Sequence, residues 1–159
     1  MINIIKANTN DLRKIAELAE IIWTEYYTPL LGAEQVRYML DNFQSYEAML
    51  NSGYQYYFAA DDIMCGYCGI DPANDEIFLS KLYIHKDYRG KKIARGFLDR
   101  LLTDYPNCKK IWLTVNKHNA DTIAAYKKMG FTITDEKVAD IGGGYFMDDY
   151  IMTMKLSLR

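Results

Sequence analysis

Ile77-Phe78-Leu79-Ser80-Lys81-Leu82-Tyr83-Ile84, followed by His85-Lys86-Asp87-Tyr88 and then Arg89-Gly90-Lys91-Lys92-Ile93-Ala94, is the stretch whose reading decides the architecture. The run Glu76–Ile84 predicts a long strand. The polar turn after it opens a helix predicted from Arg89 to Tyr105, with Ile93, Phe97 and Leu101 in helical register and Pro106 beyond its end. The first N–H groups of a helix lack intrahelical partners and carry the positive end of its dipole, so such a terminus binds phosphate. Arg89, Lys91, Lys92 and Arg95 crowd the same turn. Cations there oppose the dipole by a few tenths of a kcal/mol each, which an anionic ligand would offset. The plainer reading is a solvated basic turn.

Working outward, Ile2–Lys6 predicts a short edge strand. Thr9 or Asn10 is placed to cap a helix with the stripe Leu12, Ile15, Ala19, Ile22, Trp23, which Thr28-Pro29 is expected to end. A second helix is predicted from Ala33 to Asn42 and a short third from Ser45 to Leu50, stopped by Gly53. Tyr54–Ala60 and Ile63–Ile70 form a predicted hairpin turning at Asp61-Asp62, and residues 71–75 a turn before Glu76. Beyond the basic helix come a buried-type strand, Ile111–Val115, and a helix, Asn119–Met129, closed by Gly130. Two last strands, Phe131–Asp140 and Phe146–Leu158, flank Gly142-Gly143-Gly144. The order predicts an α/β chain, an α+β mixed sheet with helices on both faces, folded as one domain over residues 1–159.

Composition removes several classes of function. The chain has 159 residues and a net charge of −2, which argues against a generic nucleic-acid binder. The longest stretch free of Asp, Glu, Lys and Arg is 48–60, 13 residues, against about 20 apolar residues for a membrane-spanning helix. The start, Met1-Ile2-Asn3-Ile4-Ile5-Lys6, lacks a secretory pattern, so a cytoplasmic protein is expected. Cys65-Gly66-Tyr67-Cys68 matches the spacing of a redox pair. On a strand, however, residues three apart face opposite ways about 10 Å apart, and a disulfide needs Cα atoms within about 7 Å. His85 and His118 have no partner at a ligand spacing, so no metal site is expected.

The second informative stretch is Asn116-Lys117-His118-Asn119-Ala120-Asp121-Thr122-Ile123-Ala124-Ala125-Tyr126-Lys127-Lys128-Met129-Gly130-Phe131. Asn119 and Tyr126 are seven apart, on one helix face and about 10 Å apart along the axis. Taken with Arg89-Gly90-Lys91-Lys92-Ile93-Ala94, this stretch resembles the GNAT superfamily of N-acetyltransferases. The first motif is similar to the family's pyrophosphate loop and the second to its Asn/Tyr helix.

The resemblance implies a mostly antiparallel sheet with one splayed parallel pair, Glu76–Ile84 beside Ile111–Val115, and acetyl-CoA in the gap. The pantetheine would pair with the backbone of Leu82, Tyr83 and Ile84. The pyrophosphate would sit on the N–H groups from Gly90 through Lys91, Lys92, Ile93 and Ala94 to Arg95, with Arg89 beside them. Asn119 would hold the pantetheine, and Lys128 would reach the 3′-phosphate. Tyr126, expected half-exposed, would protonate the departing thiolate as general acid. Lys92 departs from the pattern, because the family usually has Gly there.

Ile22–Tyr27, Tyr38-Met39-Leu40, Ser80–Tyr83 and Ile141–Tyr150 also resemble the bacterial PaiA-type spermidine/spermine acetyltransferases, which implies a small-molecule polyamine acceptor. An alkylammonium with a pKa near 10.4 is free amine in only about 1 of 2,500 molecules at pH 7, so a proton acceptor is expected. Many polyamine-acetylating relatives use a Glu near the place of Ser80-Lys81. Here neither is a carboxylate, and Glu25, Glu76 and Asp149 are the substitutes. Glu25, Tyr38 and Asp149, with Tyr26, Tyr27, Tyr145, Tyr150 and Asp148, would wall the acceptor side. A catalytically weak CoA-binding sensor of the same fold and a thiol redox protein stay as alternatives. A homodimer is one assembly open to the chain.

Overall fold

The structure, a computed structural model, describes residues 1–157. Its strands are β1 (Asn3–Lys6), β2 (Gln55–Ala60), β3 (Met64–Ala73), β4 (Glu76–Ile84), β5 (Lys110–Asn116), β6 (Thr132–Gly142) and β7 (Tyr145–Lys155). Its α-helices are α1 (Asp11–Leu31), α2 (Ala33–Met39), α3 (Tyr46–Ser52), α4 (Ile93–Asp104) and α5 (Ala120–Lys128). The seven strands run in the order β1-β2-β3-β4-β5-β7-β6, with β1 at an edge as expected. β4 and β5 are parallel, through Glu76↔Lys110, Ile77↔Ile111 and Phe78↔Trp112. This is the mixed sheet that the order of elements predicts, with the parallel pair that the family resemblance implies.

The chain forms two compact units. The first holds Met1–Ile70 and Lys81–Leu101, the second Asp71–Ser80 and the chain from Leu102 onward. In the first unit, neighbouring residues of a strand face opposite ways. Tyr57 and Ile4 meet α4: the Arg100 guanidinium lies 5.5 Å from the Tyr57 ring and donates to the Ile4 carbonyl at 2.8 Å. Tyr67, register partner of Phe58, instead donates its hydroxyl to Gln44 Oε1 at 2.9 Å, and Tyr83 packs edge-on against Trp23 of α1. Helices therefore cover both faces of this unit's strands. In the second unit, β5 pairs with β7 from Lys110↔Lys155 to Asn116↔Asp149, and Phe78 stacks on Trp112 at 4.2 Å. Gly130 at the end of α5 has φ +108°, and a Cβ there would stand 3.4 Å from Met154 Sδ.

Several boundaries differ from the sequence reading. Neither Thr9 nor Asn10 caps α1 with its side chain. Asn8 and Asp11 exchange N–H-to-side-chain bonds of 2.9 and 3.1 Å instead. Pro29 does not stop α1, because the one hydrogen bond a proline removes is tolerated in a last turn that runs to Gly32 at φ +86°. The helix expected to reach Asn42 becomes a π-turn at Leu40–Gln44, before Ser45 accepts from the Ala48 N–H and starts α3. β3 continues through Pro72 to Ala73, so the predicted five-residue turn shrinks to Asn74-Asp75, with Asn74 at φ +58°. The helix predicted from Arg89 begins only at Ile93, since Gly90 and Lys92 both adopt positive φ, and Lys86–Tyr88 form a 3-10 turn.

Candidate active site

The loop before α4 is the first element of the site. Gly90 has φ +78° and Lys92 φ +61°. Alternation of left-handed with right-handed residues is how backbone N–H groups come to form an anion-binding concavity, and the first turn of α4 follows at once. The left-handed conformation also explains why glycine suits the fourth position. A side chain there carries a strain of about 1–2 kcal/mol. The loop cations precede the helix rather than lying in its first turn, where only Arg95 falls. The Arg89 guanidinium lies 4.9 Å from the Tyr26 ring centre and the Lys91 ammonium 5.0 Å from that of Tyr88, while Lys92 projects exposed.

β4 leads into this loop. Leu82, Tyr83 and Ile84 are half-buried. Gly66 of β3 lies so close that a Cβ on it would stand 3.1 Å from the Tyr83 carbonyl oxygen and 3.3 Å from Ile84 Cγ1. Trp23, Tyr27, Tyr67 and Tyr83 form a connected aromatic cluster. Glu25 faces Lys86 at 3.7 Å, and Tyr38 packs edge-on to Phe43. Glu76 sits at the opposite end of β4 from Ile84, and its carboxylate meets Lys110 at 3.2 Å.

In the second unit, Asn119 is the N-cap of α5 and is buried. Its carbonyl accepts from the Ile123 N–H at 3.0 Å. Tyr126 is 7% exposed rather than half-exposed, with its ring 5.4 Å from Phe131 and edge-on to it. The reason is local: the chain turns back after Gly130, and the Phe131 N–H donates to the Tyr126 carbonyl, folding Phe131 under the ring. Lys128 is exposed. Asp149 lies opposite Asn116, at the carboxyl end of β5. Burial pushes its carboxyl up to about 6, helped by Asp148 and opposed by Lys137.

The sequence reading passed over one group. Lys81, 6% exposed, donates its ammonium to the Phe43 carbonyl and to the Tyr56 hydroxyl, the latter at 3.2 Å. Burial lowers it to about 8. The alternation Ile77, Leu79, Lys81, with every second residue buried, was the available signal. The three cysteines are free and buried, and burial raises the thiols of Cys65 and Cys68, so neither presents the low-pKa thiolate of a redox pair. Among the described residues no helix is long and apolar enough to cross a membrane.

Along the chain, then, a strand enters a basic left-handed loop and a helix, and an Asn/Tyr helix follows. The model of the acetyltransferase (GNAT) family matches residues 15–131, and the chain belongs to that family. Among curated proteins it is similar to a probable spermine N(1)-acetyltransferase of Bacillus subtilis subsp. natto, 30% identical over 69 residues. That match takes in 42% of this chain and 45% of the relative, so it spans less than half the length of the curated protein. Among solved structures, a PaiA N-acetyltransferase of Thermoplasma acidophilum in complex with coenzyme A superposes with a TM-score of 0.81 at 23% identity, covering 98% of this chain and 99% of that one. An acetyltransferase of Salmonella typhimurium with its cofactor acetyl-CoA gives 0.64 at 18% identity, covering 99% and 95%. At these identities the structural likeness speaks for the fold.

Proposed function

We propose that this chain, acting as one acetyltransferase domain, transfers the acetyl group of acetyl-CoA to a primary amine, and that the amine belongs to a polyamine. The observation that carries the reading is the turn at Gly90 and Lys92, two left-handed residues that gather backbone N–H groups ahead of α4. Gly90 to Arg95 hold the pyrophosphate there, with Arg89 and Lys91 supplying charge. Leu82, Tyr83 and Ile84 offer backbone to the pantetheine, Asn119 orients it, and Lys128 meets the 3′-phosphate. Bound acetyl-CoA supplies an activated acyl carbon.

The chain's own work is to bind the acceptor ammonium, remove its proton and protonate the leaving sulfur. Tyr126 is assigned the last step. A phenol with an ordinary pKa near 10 stays protonated at pH 7 and is a reasonable acid toward a thiolate being formed. The polyamine is supported by the spermine acetyltransferase activity named for the curated relative and by the acidic and aromatic residues Asp148, Asp149 and Tyr150 on β7. Three free thiols suit a reducing cytoplasm. The test is a set of acceptors at equal concentration: spermidine, spermine, a monoamine, an amino acid and an aminoglycoside. The reading expects kcat/KM for a polyamine at least tenfold above the others. An amino acid or aminoglycoside at the top would replace the polyamine.

A further inference from the structure

Of the carboxylates on the β6–β7 ladder, Glu136, Asp148 and Asp149 differ in what they hold. The Lys117 ammonium lies 2.9 Å from Asp148 Oδ1 and 3.4 Å from Glu136 Oε1, and 5.4 Å from the centre of the Tyr150 ring. Those two carboxylates therefore have their cation. Asp149 does not: among the described residues its Oδ1 is fully buried and accepts no hydrogen bond. A buried carboxylate oxygen without a donor carries a full desolvation cost, and native structures retain such an atom where something else supplies the donor.

Position says what that donor is. Asp149 is in register with Asn116, the last residue of β5, and parallel strands present their ligands at their carboxyl ends. By alternation it shares a face with Trp112, Thr114 and Ile151, all half-exposed, and not the face where Met154 meets the end of α5. Thr153, further along that face, is buried, but Asp149 as a residue is partly exposed, so its side chain is open to solvent beside the buried Oδ1. We infer that Asp149 receives the ammonium of the acceptor and takes its proton, since the one carboxylate of β4, Glu76, stands at the far end of that strand from the loop and already meets Lys110. The inference rests on the acetyl-transfer reading above.

R–NH3+ gives one proton to the Asp149 carboxylate, and the freed nitrogen lone pair forms the C–N bond to the acetyl carbon. The C–S bond then breaks, and the sulfur takes a proton, from Tyr126 in the reading above. The nitrogen loses its second proton to water, Asp149 releases its own, and one of these two protons returns through solvent to the Tyr126 phenolate. The sum is acetyl-CoA plus R–NH3+ giving the N-acetyl amine, CoA-SH and H+.

The groups facing Asp149 are Asp148 on its own strand, Lys137 across on β6 and the uncharged Asn116 across on β5. With a carboxyl raised to about 6, it is ionised at pH 7 yet close enough to that pH to accept a proton.

The test has two arms. With any amine the enzyme acetylates, Asp149→Asn should lower kcat at least 100-fold and abolish the acid limb of kcat/KM near pH 6, with the Kd for acetyl-CoA within twofold. Retention of kcat within threefold, or of the limb, overturns the assignment. In the second arm the side-chain carboxyl of Asp149 is titrated by carbon-13 NMR in the parent, with butylammonium chloride or with sodium chloride at equal concentration. Butylammonium should lower the midpoint by at least one pH unit, and an unmoved midpoint overturns the inference. An inactive parent with a shifted Asp149 defeats the acetyl-transfer reading alone. An active parent with an unmoved Asp149 defeats this inference alone.

Discussion

The ammonium of Lys81 donates to the hydroxyl of Tyr56 at 3.2 Å, inside the first unit, and no carboxylate answers it there among the described residues. It also donates to the carbonyl of Phe43, within the π-turn. A buried lysine held by neutral oxygens ties β4 to that turn, at the cost of desolvating a charge.

Lys81 therefore makes stability depend on pH in a definite direction. Its folded value, about 8, lies below the ordinary 10.5, so the unfolded chain binds the proton more tightly. Stability should rise as pH increases from 8 toward 10, by about 3 kcal/mol at most for a shift of this size. Urea midpoints of the parent and Lys81→Met across that range check this. The rise should be absent in the variant, and identical slopes would contradict it.

Asp149 gives the opposite window. Its folded value, about 6, exceeds the ordinary 3.8, so the folded state binds the proton more tightly, and stability is lost as pH rises from about 4 to 6. Asp149→Asn should raise Tm at pH 7.5 and leave it unchanged at pH 4. A lower Tm at pH 7.5 would show that the carboxylate is a structural partner.

Lys92→Gly should relieve about 1–2 kcal/mol of left-handed strain against about 0.5–1 kcal/mol of extra unfolded-state entropy, a small net gain visible as a slightly higher Tm. Affinity for acetyl-CoA should change by no more than about tenfold, 1.4 kcal/mol. Arg89→Ala with Lys91→Ala should raise the Kd and flatten its salt dependence. Unchanged affinity in the triple variant would remove the loop from the cofactor site.

Tyr126→Phe keeps the ring that packs on Phe131 and removes the hydroxyl. Turnover at saturating amine should fall roughly 10- to 1,000-fold, within the scale of general acid catalysis. The Kd for acetyl-CoA should move by less than about threefold. Because the residue is buried, a loss of about 1 kcal/mol in stability accompanies the change and is measured alongside. Turnover within twofold of the parent would end the assignment.

The alternation of Ile77, Leu79 and Lys81 made β4 legible to its last residue, and the Asn119-to-Gly130 spacing placed α5 to within one residue at each end, because periodicity and caps are local properties. What was not legible lay outside periodicity, in single turns of the backbone and in how side chains pack. Pro29 reads as a stop, yet α1 absorbs it in its final turn. The Arg89–Lys92 segment has helical composition, but Gly90 and Lys92 turn left-handed and delay α4 to Ile93. Tyr126 reads as half-exposed from its helix alone, and Phe131 buries it. Asp149 was one of three carboxylates of equal standing. It is separated from the others only by which of them already meets a lysine: Glu25 has Lys86 and Glu76 has Lys110.

Acetyl transfer from acetyl-CoA to an amine is tested by measuring CoA released per N-acetyl product formed, with spermidine as acceptor. The account predicts one thiol for each acetylated amine, with release dependent on spermidine and sharply reduced in Tyr126→Phe. Tight binding of acetyl-CoA with no amine-dependent release, from spermidine or any other acceptor in the set, would contradict it and favour a CoA-sensing role for the same fold.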